Sequence, residues 1–239
     1  MIKKILKKFF GAKKEPVKKL DNEYLKWLSF ANAGMLDPGN IYSFDYIIKN
    51  LPSDNPIIEI GSFCGLSTNT MSYFLEKHKK KNNIMTSDKW IFEGSENGGS
   101  IADSNISYPD YKTFVIDSFK RNVKFFSKSN LPFSIEVFSD EFFELWQNKA
   151  TVKDIFNREI KLGGGISFAY IDGNHTYDFA KRDFENTAKF LDIGGFILFD
   201  DSSDKSSFGC GPKLMNEILE NKDFELVFKN PNYLFRKIR

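Results

Sequence analysis

The stretch Ile57-Ile58-Glu59-Ile60-Gly61-Ser62-Phe63-Cys64-Gly65-Leu66-Ser67-Thr68 constrains this chain more than any other. A short, continuous and mostly apolar run such as Ile57–Ile60 suits a parallel strand covered on both faces. Gly61 and Gly65 supply a turn, and Ser67 to Lys80 predicts a helix whose lysines gather at its C-terminal end, where positive charge is favourable. A strand, a glycine turn and a helix N-terminus together bring backbone N–H groups and a carboxylate to a small polar ligand.

The remainder repeats that alternation. Asn83–Ser87 predicts a second strand stopping at Asp88, and Phe133–Phe138 a third stopping at Ser139-Asp140. Ile166–Ile171 predicts a fourth ending at Asp172, and Phe196–Phe199 a fifth ending at Asp200-Asp201. Helical patterns cover Phe114–Phe126, Asp140–Lys149, Tyr177–Leu191 and Met215–Asn221, with two more upstream, around Tyr24–Phe30 and over Ile41–Asn50. Phe224–Lys229 and Tyr233–Lys237, joined across Asn230-Pro231-Asn232, predict a closing hairpin. Gly163-Gly164-Gly165 leads into a strand and not out of one, so it is a plain turn. Strands separated by helices imply an α/β fold, a doubly wound, mostly parallel Rossmann-like sheet of seven strands with helices on both faces. Ligands in such folds bind beyond the carboxyl ends of the strands, where Glu59, Asp88, Ser139-Asp140, Asp172 and Asp200-Asp201 all fall.

The chain divides into a basic arm (1–19), N-terminal helices (20–55) and a ligand-binding domain (56–239) with a lid-like insertion at 93–113. The insertion is rich in Gly, Ser, Asn and Asp, and Trp90, Tyr108 and Tyr111 around it could stack on an acceptor ring or pack the loop down. A net charge of +2 over 239 residues argues against nucleic acid as a partner. Cys64 and Cys210 form no framework, which points to a reducing, cytoplasmic setting. Met1 to Leu20 holds eight lysines and one acid among scattered apolar residues, too interrupted to span a membrane. A solvated arm is the plain reading; weak contact with anionic lipid at the inner membrane surface through 1–19 is the sharper one.

A dinucleotide turn would carry G-x-G-x-x-G, but Phe63 stands where the middle glycine belongs. That, and the closing hairpin, favour a methyl donor over NAD or FAD. The segment Glu59 to Ser67 resembles the first motif of catechol-type O-methyltransferases, a class I S-adenosylmethionine-dependent family. Phe168 to Tyr177, with Gly194 to Asp201, is similar to the bacterial branch of metal-dependent sugar O-methyltransferases of macrolide and aminocoumarin biosynthesis. The resemblance covers residues 40–205.

The resemblance implies an S-adenosyl-L-methionine site and a saccharide or small-molecule hydroxyl acceptor. Gly61, Ser62 and Gly65 would approach the methionine part of the cofactor, with Ser67 reaching its carboxylate. Glu59 would hold the turn or the methionine amine, Asp88 would accept from the ribose hydroxyls, and Ser139 and Asp140 would lie near the adenine, although Ser-Asp is also an ordinary helix cap. Asp172, Asp200 and Asp201 would hold Mg²⁺ or another divalent cation, since converging carboxylates otherwise repel. His175 would be the general base beside Asp172, its ordinary pKa of about 6.5 suiting that task. A metal-independent methyltransferase, a nicotinamide-dependent oxidoreductase, a non-catalytic binding protein and a homo-oligomer all stay open.

Overall fold

The computed structural model describes residues 16–92, 94–95, 98–204 and 209–239. The expectation for the basic arm falls mostly on residues 1–15, outside the described residues. Within its last part, Lys18 is pinned: its N–H donates to Asn230 Oδ1 at 2.7 Å and its carbonyl accepts from Asn230 Nδ2 at 2.9 Å. Among the described residues no helix is long and apolar enough to cross a membrane.

Two helices open the chain. Helix α1 (Glu23–Ala31) starts at Asn22, whose side chain accepts from Leu25 N. Helix α2 (Pro38–Lys49) starts at Asp37, with proline in the first turn where its missing N–H costs nothing. Strand β1 (Ile57–Ile60) then leads to α3 (Leu66–Lys77), and β2 (Ile84–Ser87) to the long α4 (Tyr108–Phe126). Strand β3 (Phe133–Ile135) and α5 (Ser139–Gln147) precede a small separate hairpin, β4 (Thr151–Lys153) and β5 (Glu159–Lys161). The chain finishes with β6 (Ile166–Ile171), α6 (Tyr177–Phe190), β7 (Leu191–Phe199), α7 (Gly211–Glu220), β8 (Phe224–Lys229) and β9 (Tyr233–Lys237).

The main sheet has seven strands in the order β3-β2-β1-β6-β7-β9-β8. The first five run parallel, and β9 pairs antiparallel with both β7 and β8. Strand alternation divides the core between the two faces. Ile58, Ile60, Ala169, Ile171, Ile197 and Phe199 join a cluster with side chains of α5, α6 and α7. Ile57, Phe168, Tyr170, Phe196 and Leu198 join the opposite cluster with α1, α2 and α3. Strands buried on both sides favour apolar residues at successive positions, which is why β1 and β6 read as mostly hydrophobic runs, with Glu59 and Ser167 the buried exceptions.

Several boundaries depart from the sequence reading. Helix α4 begins at Tyr108 and not Phe114, because Ser107 caps it and Pro109 and Asp110 occupy its first turn. The last residues of the expected 93–113 insertion are therefore helical. Strand β3 ends at Ile135, and β7 starts five residues early, taking in Gly194 and Gly195. The β4–β5 hairpin has no counterpart in the sequence reading: its strands are three residues long and largely exposed.

Candidate functional site

The turn after β1 is built around three left-handed residues. Gly61, Phe63 and Gly65 have φ of 84°, 45° and 86°. A Cβ on Gly61 would lie 2.0 Å from the carbonyl oxygen of Asp172, so the turn and the end of β6 touch backbone to backbone. Phe63 takes the conformation a glycine would take, and its ring lies 6.4 Å from Phe92 and 6.5 Å from Tyr111. These rings border a third apolar cluster of Cys64, Trp90, Val115, Phe119 and Val123. Trp90 is buried, its indole N–H donating to Phe63 O at 3.0 Å. Of the aromatic residues considered for stacking on an acceptor, Trp90 thus packs the segment down.

Glu59 lies beneath the turn, fully buried. Ser67 Oγ and Thr68 Oγ1, in the first turn of α3, each donate to one of its oxygens at 2.5 Å. Burial pushes its carboxyl up to about 7 against the pull of these hydroxyls. Ser67 is thereby directed at Glu59. Among the described residues Ser62 Oγ is buried without a hydrogen-bond partner. Asp88, at the end of β2, accepts from Ser62 N at 2.8 Å and Phe63 N at 3.0 Å on one oxygen, and from Trp90 N at 2.6 Å on the other. Burial raises its pKa, and those three amides oppose the shift. A carboxylate oxygen has two lone pairs, so Asp88 Oδ1 keeps one acceptor position.

Beyond β6 and β7 the acidic residues converge. Asp172, His175 and Asp200 each offer a ligand atom within 4.8 Å of the other two. His175 Nε2 lies 3.6 Å from Asp172 Oδ1 and 3.8 Å from Asp201 Oδ2. The sequence grouped the three aspartates as ligands; the geometry groups His175 with Asp172 and Asp200 and leaves Asp201 beside the imidazole, outside that group. Burial and the facing Asp200 carboxylate hold Asp172 well above the usual carboxylate range. Burial raises Asp200 as well. Among the described residues neither carboxylate pairs with a lysine or arginine, which leaves a donor set of hard oxygens and one imidazole suited to a divalent cation.

Asp200 has further partners that the sequence reading missed. Its Oδ1 accepts from Asn40 Nδ2 and, at 3.0 Å, from Asn232 Nδ2. Both asparagines are buried, and both come from segments that look like ordinary turns in the sequence. No local pattern distinguishes them; only the meeting of α2 with the β8–β9 turn does. Ser139 and Asp140, by contrast, face α6. Asp140 pairs with Arg182 at 2.9 Å and accepts from Asn186 at 3.3 Å, while Ser139 hydrogen-bonds Asp183.

A family model described as a methyltransferase domain matches residues 58–202. Among solved structures, the O-methyltransferase TomG from Streptomyces achromogenes, involved in tomaymycin synthesis and determined with SAM, aligns with a TM-score of 0.58 and 11% identity over 92% of each chain. An O-methyltransferase from Bacillus cereus in complex with SAH aligns at 0.51 and 12% identity, over 100% of this chain and 97% of that one. Apo CalS11, a TDP-rhamnose 3'-O-methyltransferase of calicheamicin biosynthesis, aligns at 0.52 and 15% identity, over 82% of this chain and 78% of its own. At such identities the likeness is one of fold. Comparison with curated proteins gives no match.

Proposed function

The chain belongs to the methyltransferase-domain family whose model spans residues 58–202, and from that premise we propose an S-adenosylmethionine-dependent O-methyltransferase acting on a saccharide or other small-molecule hydroxyl with a divalent cation. One observation carries the reading: the glycine turn after β1 and the Asp172–His175–Asp200 cluster meet at the Gly61–Asp172 backbone contact. A donor on the turn and a hydroxyl at the cluster would be neighbours there. The unpartnered Ser62 Oγ and the spare acceptor position on Asp88 fit a polar cofactor. The saccharide acceptor is suggested by CalS11, which acts on a TDP-sugar.

S-adenosylmethionine would supply the methyl group. A divalent cation held by Asp172 and Asp200 would acidify the acceptor hydroxyl and fix its position. His175 takes the hydroxyl proton at Nε2, and the Asp172 and Asp201 carboxylates near that nitrogen stabilise the imidazolium that results. Phe63, Phe92 and Tyr111 line the turn with apolar surface, which keeps water from competing where opposite charges are lost. Gly61 and Phe63 fix the turn, and a donor bound there would be held beside an acceptor at the cluster.

Titration calorimetry tests the donor: S-adenosylhomocysteine should bind, and NAD should not. Binding of NAD alone would overturn the reading in favour of an oxidoreductase. A metal-independent methyltransferase is the nearer rival, because His175 has two carboxylate neighbours that could support it as a base without a cation. Turnover unchanged by EDTA would select that rival.

A further inference from the structure

We infer that Asn40 and Asn232 are positioning residues that set the orientation of Asp200 in the cation site. The inference rests on the proposed cation reading and extends it to residues outside the aspartate motif.

Asn40 and Asn232 both donate to the same oxygen of Asp200. Two donors on one oxygen fix the rotation of the carboxylate, which a single bond would leave free to swing. The pair is itself cross-linked, Asn232 Nδ2 donating to Asn40 Oδ1 at 3.1 Å. Asn40 also donates to the buried Tyr170 hydroxyl at 3.2 Å, two residues before Asp172. Asn232 Oδ1 accepts from Ser202 N and Ser203 N, both at 3.1 Å, holding the backbone just after Asp201. Every hydrogen-bonding atom of the Asn232 amide side chain thus serves the segment that carries Asp200 and Asp201. Asp200 also sits at the N-terminal end of α2, where Asn40 is in the first turn and the helix dipole favours a negative charge.

Burying two amides costs free energy unless they are satisfied, and nothing in the local fold requires polar residues here. A capping or turn role would use backbone partners nearby in sequence. Instead Asn40 reaches 160 residues along the chain and Asn232 reaches 32. Asn230, in the same turn, provides the contrast. Among the described residues its side chain bonds Lys18 and Gly39, so it ties the turn to the N-terminal helices with no bond to Asp200.

Mn²⁺ binding to the full chain, followed by the EPR signal of the free ion, tests this without turnover. Asn40→Ser and Asn232→Ser keep a small polar side chain in each cavity and are compared with Asn230→Ser. The first two should weaken Mn²⁺ binding by about 10–100-fold, the usual effect of losing a partner behind a metal ligand, with S-adenosylhomocysteine affinity unchanged. Asn230→Ser should lower the melting temperature at least as much yet leave Mn²⁺ affinity within about twofold. Wild-type Mn²⁺ affinity in both Asn40→Ser and Asn232→Ser would overturn the inference, as would an equal loss in Asn230→Ser, since affinity would then follow stability. If the unaltered protein binds no Mn²⁺, the cation reading itself falls, and this inference falls with it.

Discussion

Phe63 holds a backbone conformation that usually belongs to glycine, at φ 45°. A left-handed residue with a side chain costs about 1–2 kcal/mol, so something must offset it. The ring does so by packing between Phe92 and Tyr111 at the edge of the third apolar cluster. Phe63→Ala should therefore keep the strain and lose the packing, whereas Phe63→Gly loses both. Phe63→Gly should be the milder of the two by about 1 kcal/mol in urea unfolding; the reverse order would mean that the turn is not strained at Phe63. His175 offers a second single-residue test. It stands within 4 Å of two carboxylates but also within the donor cluster, so base and ligand roles compete. As the base, His175→Ala should lower kcat by about 10²–10⁴-fold with Mn²⁺ affinity nearly intact. A matching collapse in Mn²⁺ affinity would make His175 a ligand instead. The resemblance to sugar O-methyltransferases pointed to His175, and the glycine pattern to Phe63 as a missing glycine. It gave no sign of the Phe63 ring's partners, because Phe92 and Tyr111 meet it only across the fold.

Elements announce themselves in sequence to the extent that local chemistry decides them. Strands β1 and β6 and the closing hairpin were legible because burial on both faces, or a turn flanked by alternating residues, leaves a pattern. Helix α4 was under-read at its start, where a Ser cap, Pro109 and Asp110 carry the signal and the apolar repeat has not begun. The β4–β5 hairpin was invisible for a different reason. Its anchoring to the rest of the fold comes chiefly from Arg158, whose carbonyl partners are distant in sequence. Arg158 pairs with the buried Asp154 and donates to the carbonyls of Leu131, at 3.2 Å, and Pro132, just before the edge strand β3. Ile155 N adds a bond to Ser134 O at 2.9 Å within β3. Arg158→Ala leaves the buried Asp154 carboxylate with two backbone amides on one oxygen and no partner cation, and should destabilise the protein by about 1–3 kcal/mol. Hydrogen exchange should report faster opening of residues 151–161 than of β6. Uniform loss of protection would mean that the hairpin is not a separately latched unit.

At the scale of the whole molecule, both faces of the sheet carry a buried carboxyl whose proton is held above its unfolded value. Glu59 lies on the α1–α3 face, raised from 4.5 to about 7 mainly by burial. Asp183 lies on α6 across the sheet, raised from 3.8 to about 6, again chiefly by burial, with Ser139 opposing. One oxygen of Asp183 has no hydrogen-bond partner among the described residues. A raised acid keeps its proton in the native state after the unfolded chain has released it. The native state therefore binds more protons over the window from about pH 4 to pH 7, and stability falls as pH rises through it. Below the unfolded pKa values neither group contributes to the slope; above about pH 7 the full cost is present. For Glu59 that cost is about 3 kcal/mol, or roughly 6–12 °C in melting temperature for a chain of this length. Glu59→Gln should flatten the melting profile between pH 5 and pH 8 by this amount. Asp183→Asn should flatten it at the lower end, since its titration completes nearer pH 6. Being on opposite faces without shared partners, the two effects should add in the double variant. Parallel profiles for Glu59→Gln and the unaltered protein would show that Glu59 ionises in the folded chain at its ordinary pKa, and that the hydroxyls of Ser67 and Thr68 outweigh its burial.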